Sequence, residues 1–371
     1  MSDGQVDSVH HRVVIFLHAF AAGGAEAVLL GVANDLYLNG IDVVVVAARA
    51  EGPNRRKLNE KIEVIDLGAR RMALSVPALM KVLKEIDPTV CLSALTHANI
   101  ALIAACRLAR SRAKVVVSER LSLHFEFIAA PPLKRVVKQF LIKRLYPKAD
   151  AIIAVSKALK VEIEEMVPAT STKVIALPNP VDIALLWDMA EDPSAFSVEN
   201  DQVPVIAFVG RLSRQKNLPL LLKAFKQLRD LRPARLVLAG DGPLKSELEA
   251  LVEELSLGQD VEFAGYLSNP YRLIKEANIM ALSSDFEGLP NVLIEALALE
   301  TEIVSTDCPT GPAEILNNGA YGHLVPCNDL QAFSAAMNNA LNEPLLFDRR
   351  EALSSYQKGN ALSAYRKVLF S

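Results

Sequence analysis

Two glutamates with seven residues between them, Glu287 and Glu295, form the most informative polar pattern in the sequence. Pro290 is well placed for the first turn of a helix, so the loop 287–289 before it is expected to lie at a helix N-terminus. Free N–H groups and the helix dipole favour phosphate or sugar oxygens there. Glu295 falls in an otherwise apolar stretch, where a carboxylate is costly to bury without partners. A ribose diol can donate two hydrogen bonds to it, and the alternative is a glutamate satisfied by local groups.

Two cations follow an apolar run earlier in the same half of the chain. Gly210 and Arg211 come directly after Val205–Val209, and Lys216 stands five residues beyond Arg211. A guanidinium and an ammonium at the end of a strand suit a diphosphate, because they neutralise charge on a leaving group as its bond breaks. Solvated surface cations are the alternative interpretation. The position of these cations at the expected ligand-binding end of a strand favours the diphosphate site.

A glycine pair occupies the corresponding position near the start of the chain. Gly23 and Gly24 follow the first apolar run, Val13–Leu17, and precede a predicted helix. Glycines at this point allow backbone N–H groups to approach an anion, although a tight turn would need small residues equally. The dinucleotide fingerprint GxGxxG is absent and no acidic residue ends the second strand, so a nicotinamide-dependent enzyme is disfavoured.

Titratable side chains follow two other strands of the first half. His97 follows one apolar run, Glu119 and Arg120 end the next, and His124 stands four residues beyond Arg120. We predict that these four residues are candidates for contact with an acceptor substrate. A single histidine is more often structural than catalytic, so a structural interpretation stays open for each histidine.

Short β-branched runs alternate with longer helical patterns over most of the chain. Strands that are apolar throughout and separated by helices are typical of a parallel sheet covered on both faces. The alternation is interrupted by several prolines and the polar run 199–202, and then it restarts. We therefore predict an α/β fold of two doubly wound Rossmann-like domains facing a cleft, with ligands outside the carboxyl ends of the strands. The predicted domains are 1–185 and 203–345, followed by a C-terminal helical tail, 346–371, that packs back toward the N-terminal domain.

The composition fits a folded enzyme that is too long for one ordinary domain, with 371 residues, 51% of them hydrophobic and 22% charged. The net charge of −3 gives no sign of a nucleic-acid partner. The four cysteines have no metal-ligand spacing, so we expect reduced, buried thiols and no metal site.

The polar start of the chain does not resemble a signal peptide. The apolar stretch Thr89–Ala109 fits a strand followed by a helix better than a membrane span, so a cytoplasmic location is expected.

A basic segment, 133–148, carries six bases and no acid. On a helix, one face can hold several of its apolar residues, namely Val136, Val137, Phe140, Leu141 and Leu145. A basic amphipathic helix suits an anionic membrane surface, which predicts peripheral binding to the inner face of the cytoplasmic membrane. The alternative is a core-facing helix with a solvated basic side.

In combination, these motifs resemble glycosyltransferase family 4, whose members are retaining enzymes with the GT-B fold. The similarity covers nearly the whole chain and is strongest over 205–316. Glu287 and Glu295 resemble the family's pair of glutamates, which implies that Glu295 holds the ribose and Glu287 the hydroxyls of the transferred sugar. Arg211 and Lys216 resemble its diphosphate-binding pair, and together with Glu287 they are the implied catalytic residues.

The same resemblance implies further donor contacts, which lie in four loops and comprise Gly23, Gly24, Gly210, Tyr266, Leu267, Gly288, Leu289 and Pro290. The backbone of the last three would meet the sugar and the phosphates, and Tyr266 and Leu267 would meet the base. The N-terminal glycine pair resembles the loop that closes on the donor phosphate.

Within the family, the stretches Val117–Arg120 and Asp307–Pro312 most resemble bacterial enzymes that elongate lipid-linked or surface polysaccharides. The resemblance implies transfer of a hexose or N-acetylhexosamine from a nucleotide diphosphate sugar, with UDP favoured, to a glycolipid or polysaccharide hydroxyl. It also implies retention of configuration and no requirement for a metal or cofactor, since the nucleotide sugar is a substrate. The transferase function has two alternatives: a non-catalytic nucleotide-sugar-binding subunit, and a nucleotide-sugar epimerase of similar architecture.

Overall fold

The computed structural model describes residues 11–21, 23–128, 131–198 and 203–371, so the polar run 199–202 lies outside the described residues. The chain divides into two units. The first ends at Leu177 and also contains Ala361–Ser371, and the second is Pro178–Asn360.

The first unit is built on a sheet of parallel strands that are buried almost throughout. Its strands in the described chain are β1 Arg12–Leu17, β2 Asp42–Ala47, β3 Glu63–Asp66, β4 Val90–Ala94, β5 Lys114–Glu119, β6 Ala151–Ala154 and β7 Val174–Ala176. They pair in the order β3-β2-β1-β4-β5-β6-β7. In β1, β2 and β5 only the first residue is not buried, because helices cover both faces of the sheet.

Helices connect these strands. In the described part of the first unit they are α1 Gly24–Leu38, α2 Met72–Ile86, α3 Thr96–Ala109, α4 Leu123–Ile128, α5 Pro132–Leu145 and α6 Lys157–Met166. The apolar stretch Thr89–Ala109 therefore forms β4 and α3, as predicted. None of the helices in the described chain combines the length and hydrophobicity that crossing a bilayer requires.

The second unit repeats the plan with a second parallel sheet. Its strands are β8 Val205–Val209, β9 Arg235–Ala239, β10 Val261–Gly265, β11 Ile279–Leu282, β12 Glu302–Thr306 and β13 His323–Val325, paired in the order β10-β9-β8-β11-β12-β13. Its helices are α7 Ile183–Ala190, α8 Leu218–Leu231, α9 Lys245–Glu254, α10 Tyr271–Glu276, α11 Asn291–Ala298, α12 Pro312–Ile315, α13 Leu330–Asn342 and α14 Arg349–Leu353. The prediction of two doubly wound α/β domains is confirmed.

The ends of the units differ from the positions inferred from sequence, 185 and 346. Residues 178–190 belong to the second unit, where the Trp187 indole donates a hydrogen bond to the Ala298 carbonyl at 3.0 Å. The last helix, α15 Lys358–Phe370, contributes Leu362, Tyr365 and Leu369 to the core around β1 and α1. The chain crosses between the units after Leu177 and after Asn360 because these apolar faces pack against different sheets.

The strand order reverses once in each sheet, between β1 and β4 in the first and between β8 and β11 in the second. All paired strands are parallel, so their carboxyl ends lie along one edge of each sheet. Loops that follow the two strands at a reversal point diverge and leave a crevice, which is where doubly wound sheets bind ligands. The positions of the loops after β1, β4, β8 and β11 therefore define where candidate sites lie.

Candidate active site

The reversal point of the second sheet brings together the two motifs that the sequence analysis singled out. The loop after β8 carries Gly210, Arg211 and Lys216, and the loop after β11 carries Glu287. These loops are separated by about seventy residues along the chain, but β8 and β11 are paired neighbours. The residues predicted to contact a diphosphate and a sugar therefore share one edge of one sheet.

The Glu287 carboxylate is the best-defined group of this site, and the residue is only 6% exposed. Its Oε1 accepts hydrogen bonds from Lys216 Nζ at 2.6 Å and from Ser284 Oγ at 2.6 Å, and its Oε2 accepts one from Gln215 Nε2 at 3.3 Å. A buried carboxylate needs such compensation, because burying an unpaired charge is strongly unfavourable. The ion pair with Lys216 and the hydroxyl of Ser284 therefore fix both the charge and the orientation of Glu287.

A second set of contacts holds the backbone of this loop against the loop after β12. The Glu287 amide donates to the Pro309 carbonyl at 2.8 Å, and Thr310 Oγ1 donates to the Gly288 carbonyl at 2.9 Å. Gly311 has a φ of +98°, and a Cβ there would lie 2.7 Å from the Gly288 carbonyl oxygen. Only glycine fits this position, so the close approach of the two loops depends on it.

The loop after β8 is tied to the loop after β11 in the same way. Ser283 Oγ donates to the Lys216 carbonyl at 2.7 Å, and the Asp285 amide donates to the Gln215 carbonyl at 2.9 Å. Asn217 Nδ2 donates to Asp285 Oδ1 at 2.7 Å. Burial raises the pKa of the Asp285 carboxyl, although this hydrogen bond acts in the opposite direction. The cation and the carboxylate are thus positioned by backbone anchors as well as by their own ion pair.

Other donor residues predicted in the second unit lie in its loops and in α11. Arg211 is exposed, Tyr266 after β10 is 65% exposed, and Leu267 is half-buried. Glu295 is half-buried in α11, and its negative charge together with burial, the larger effect, raises the pKa of the Tyr271 phenol. Glu295 and Tyr271 therefore lie close enough for their charges to interact. The second unit therefore offers an exposed cation, an exposed aromatic ring and a second carboxylate in addition to Glu287.

The start of α11 differs from the expectation. Pro290 was expected in the first helical turn, but the helix begins at Asn291 and Pro290 is the residue before it, with φ of −71° and ψ of 98°. The prediction of Pro290 in the first turn is therefore wrong by one position. The loop with Gly288 and Leu289 nevertheless directly precedes the N-terminus of α11, as expected.

The reversal point of the first sheet holds a pair of histidines. His18 follows β1 and His97 lies in the first turn of α3 after β4, and their rings meet edge to face with centroids 5.2 Å apart. His18 Nδ1 is buried, and among the described residues it has no hydrogen-bond partner. Burial and the positive charge of Arg49 lower the pKa of the His18 imidazole. His18 was missed in the sequence because the residues around it form no motif.

Backbone strain accompanies this pair. Leu95 precedes α3 with a φ of +75°, a conformation that is costly for a branched side chain, by roughly 1–3 kcal/mol. Such strain is tolerated where the surrounding structure requires it, and it is concentrated at functional sites. The strained residue stands two positions before His97.

The other candidates for acceptor contact lie in different surroundings. Glu119 is 1% exposed, and its carboxylate accepts hydrogen bonds from Thr96 Oγ1 at 3.1 Å, Asn99 Nδ2 at 3.0 Å and the Tyr146 hydroxyl. Arg120 Nη2 donates to the Tyr365 hydroxyl at 2.8 Å. Both side chains therefore contribute to the core of the first unit.

His124 is exposed on α4, where its ring contacts Phe125. Among the ring contacts of the described residues, His124 packs against Phe125 and His97 against His18. A contact of His124, Glu119 or Arg120 with an acceptor stays a prediction.

The glycine pair leads into a buried acid. Gly23 precedes α1, Gly24 begins it, and a Cβ on Gly23 would lie 2.5 Å from Glu26 Oε2. Glu26 is buried, and this burial raises the pKa of its carboxyl above the ordinary value of 4.5, although a backbone hydrogen bond and the charge of Arg120 partly offset the effect. An acid with a raised pKa therefore lies directly beside the loop that was expected to receive a phosphate.

In the parts of the chain that the structure describes, no group of three or more His, Cys, Asp or Glu side chains is arranged to hold a metal ion. Cys91, Cys106 and Cys308 are buried free thiols as expected, whereas Cys327 is only half-buried.

Comparison with known proteins identifies the fold and the family. The fold matches that of HepE from Anabaena, solved in complex with UDP-glucose, with a TM-score of 0.74 and 19% identity over 97% of this chain and 99% of that one. The fold is thus the GT-B fold of two Rossmann-like domains. Residues 22–185 match the model for glycosyltransferase family 4, and residues 190–359 match that for glycosyl transferases group 1.

A relative that matches over most of its length is also a glycosyltransferase. The Campylobacter jejuni GalNAc-α-(1→4)-GalNAc-α-(1→3)-diNAcBac-PP-undecaprenol α-1,4-N-acetyl-D-galactosaminyltransferase is 31% identical over 344 residues, which cover 90% of this chain and 89% of that enzyme. The chain belongs to glycosyltransferase family 4.

Two other relatives match over shorter segments. The N-acetylgalactosamine-N,N'-diacetylbacillosaminyl-diphospho-undecaprenol 4-α-N-acetylgalactosaminyltransferase of the same organism is 34% identical over 63% of this chain. An uncharacterized glycosyltransferase of Methanocaldococcus jannaschii is 37% identical over 47% of this chain. The matched segments span 61% and 44% of these two proteins.

The raised pKa of Glu26 leads to a prediction about stability. In the folded protein the carboxyl holds its proton more tightly than in the unfolded chain, so its contribution to stability is lost as pH rises through the raised pKa. Glu26→Gln removes this titration. We expect the variant to have a higher melting temperature than the wild type at pH 7.5, on the order of 1–4 °C, and no advantage at pH 4.

Melting curves recorded by circular dichroism between pH 4 and pH 8 test this expectation. Glu63→Gln, at an exposed position of β3, controls for the loss of one negative charge. An equal difference between Glu26→Gln and the wild type at both ends of the pH range would contradict the interpretation.

Proposed function

We propose that this chain is a retaining glycosyltransferase that moves a hexose or N-acetylhexosamine from a UDP-sugar to the hydroxyl of a lipid-linked or polysaccharide acceptor. The observation that carries the proposal is the buried Glu287 carboxylate, held by Lys216 and Ser284 at the reversal point of the second sheet. A carboxylate so positioned accepts hydrogen bonds from sugar hydroxyls, and the adjacent cations suit the diphosphate of the same donor.

The proposed reaction is a direct exchange at the anomeric carbon. The bond from this carbon to the β-phosphate oxygen breaks, and a bond to the acceptor oxygen forms on the same face, which retains the configuration. The acceptor's proton passes to the departing diphosphate oxygen. Arg211 and Lys216 stabilise the negative charge that develops on the diphosphate, and no protein nucleophile is needed.

Several features support a nucleotide donor. The exposed ring of Tyr266 is available for stacking on a base, and the half-buried Glu295 can accept hydrogen bonds from a ribose. The solved relative HepE carries UDP-glucose in a chain of the same fold. We propose that the reaction needs neither a metal nor a cofactor, since the two cations supply the charge that a metal would otherwise provide.

The relatives support a lipid-linked acceptor. The names of the two Campylobacter enzymes specify acceptors attached to undecaprenol through a diphosphate. We propose an acceptor of the same chemical class, a glycan on a lipid diphosphate. The His18–His97 pair at the reversal point of the first sheet provides imidazole groups for its hydroxyls, with Glu119, Arg120 and His124 as further candidates.

We further propose that α5 attaches the protein to the inner face of the cytoplasmic membrane. Leu133, Val136, Val137 and Phe140 are exposed on this helix, by 77%, 62%, 49% and 65%. Their exposure favours the membrane interpretation of the segment 133–148 over a core-facing one. The bases Lys134, Lys143 and Arg144 are exposed as well, and each would add about 1 kcal/mol of attraction to an anionic surface.

A transfer assay tests the proposed activity. Purified protein is incubated with a series of UDP- and GDP-sugars and an extracted bacterial lipid fraction, with and without EDTA. We expect EDTA-resistant incorporation of sugar from one UDP-sugar into lipid, with the anomeric configuration preserved in the product by NMR. Arg211→Ala should lower kcat/KM about 100-fold or more, because it removes charge stabilisation of the leaving group.

Arg350→Ala, an exposed arginine of α14 in the same unit, is the matched control and should keep wild-type activity. Conversion of the sugar nucleotide without an acceptor would instead identify an epimerase. Binding of a UDP-sugar without any transfer would indicate a non-catalytic subunit, and either result would refute the proposal.

Vesicle binding tests the proposed membrane contact. Insertion of one phenylalanine side chain contributes about 1.5–3 kcal/mol, so Phe140→Ser should weaken binding to anionic vesicles roughly 10- to 100-fold. Cosedimentation with phosphatidylglycerol vesicles at low salt measures this. Leu231→Ser changes a 73% exposed leucine of the second unit and should leave binding unchanged. If the wild type stays in the supernatant at low salt, where attraction is greatest, the membrane proposal is wrong.

A further inference from the structure

A groove of about 770 Å³ lies in the first unit among helices α2, α3 and α5. This volume falls in the range of ligand sites, roughly 300–1,000 Å³. None of the contacts described for the donor or for the core of the first unit involves this groove. Its walls come from one unit alone, so its shape is a property of that fold.

The floor of the groove follows one face of α3. His97, Ile100, Ala104 and Leu108 line it at spacings of three and four residues, which places them on a single stripe of the helix. The stripe runs from His97 to Leu108, a length of roughly 16 Å at about 1.5 Å per residue. Two alanines of the lining, Ala101 and Ala104, leave room above the helix. The floor of the groove is therefore long.

The lining selects the chemistry of an occupant. Apart from His97 and two lysines, the side chains that line the groove are apolar, with Met72 and Met80 among them. Methionines adapt to irregular hydrocarbon shapes. A sugar or a nucleotide would lose its hydrogen bonds to water in such a groove without replacement. A linear hydrocarbon chain would lose nothing and would remove apolar surface from water.

The ends of the groove add direction and charge. Its polar end is His97, which lies at the carboxyl edge of the first sheet and contacts His18. The two charged residues of its lining, Lys134 and Lys138, are both cations. An apolar groove whose lining includes two cations and a histidine is complementary to a hydrocarbon chain that carries an anionic head group.

The groove is continuous with the exposed apolar face of α5. Leu133 and Val137 line the groove and are also 77% and 49% exposed on that face. The exposed apolar surface of α5 therefore leads directly into the groove. This continuity favours a membrane lipid over a free fatty acid or a peptide helix as the occupant.

We propose that this groove binds the head-proximal part of the hydrocarbon chain of a polyprenyl-linked acceptor and directs its head group toward His97. The inference rests on the proposed function, because it assumes that the acceptor is lipid-linked. The hydrocarbon chain of the acceptor, which is chemically inert in the transfer, then has a binding site of its own. Recognition of the acceptor would then depend on its lipid as well as on its glycan.

Binding of farnesol and farnesyl diphosphate, measured by calorimetry in the absence of any sugar donor, tests the proposal. We expect both compounds to bind to the native protein and inorganic diphosphate to bind at least about tenfold more weakly than farnesyl diphosphate. Ala104→Phe fills the groove and should weaken the binding of both prenyl compounds about tenfold or more. Ala169→Phe, at an exposed alanine of the same unit, should not change it.

A second measurement separates this inference from the proposed function. With a lipid-linked acceptor, Ala104→Phe should raise KM, whereas transfer to the same glycan on a short soluble aglycone should be unchanged. Equal loss with both acceptors, or prenyl binding that Ala104→Phe leaves intact, would overturn the inference while the transferase assignment stands. Light scattering that shows a dimer dissociated by Ala104→Phe would also overturn it, because a second copy of the chain would then occupy the groove.

Discussion

The ion pair between Lys216 and Glu287 is the interaction on which the candidate active site depends. Both side chains are largely buried, and removal of one partner from such a pair costs about 3–5 kcal/mol because the other charge is left uncompensated. Ser284, Gln215 and the backbone anchors of the surrounding loops add hydrogen bonds that hold the pair in one geometry. The site is therefore organised before a substrate binds, which is the condition for electrostatic stabilisation of a transition state.

The parallel sheet makes this arrangement possible. The pair joins loops that are far apart in the chain, and only the adjacency of β8 and β11 brings them together. The same topology in the first unit brings the loops after β1 and β4 together and places His18 against His97. Two sheets of the same plan thus present two different chemistries, charged in the second unit and aromatic and apolar in the first.

Much of the fold and part of the site could be predicted from the sequence. The strand Val205–Val209 begins and ends with the apolar run seen in the sequence, because an uninterrupted apolar run determines a buried strand locally. Glu287, Glu295, Arg211 and Lys216 were recognisable from their spacing. Gln215 and His18 were not, because their roles arise from contacts between loops that the linear pattern does not relate. The packing of Trp187 in the second unit likewise leaves no local signal in the sequence.

The central claim is that Glu287 contacts the sugar of the donor and Lys216 its diphosphate. Calorimetric titration of the wild type, Glu287→Gln and Lys216→Met tests it most directly. The ligands are UDP and the UDP-sugar selected by the transfer assay. We expect Lys216→Met to weaken the binding of both ligands, because it removes a cation from the diphosphate. We expect Glu287→Gln to weaken the binding of the UDP-sugar about 10-fold or more and to leave UDP as tightly bound as before or tighter. If Glu287→Gln weakens the binding of UDP and UDP-sugar equally, Glu287 has only a structural role and the proposed sugar contact is wrong.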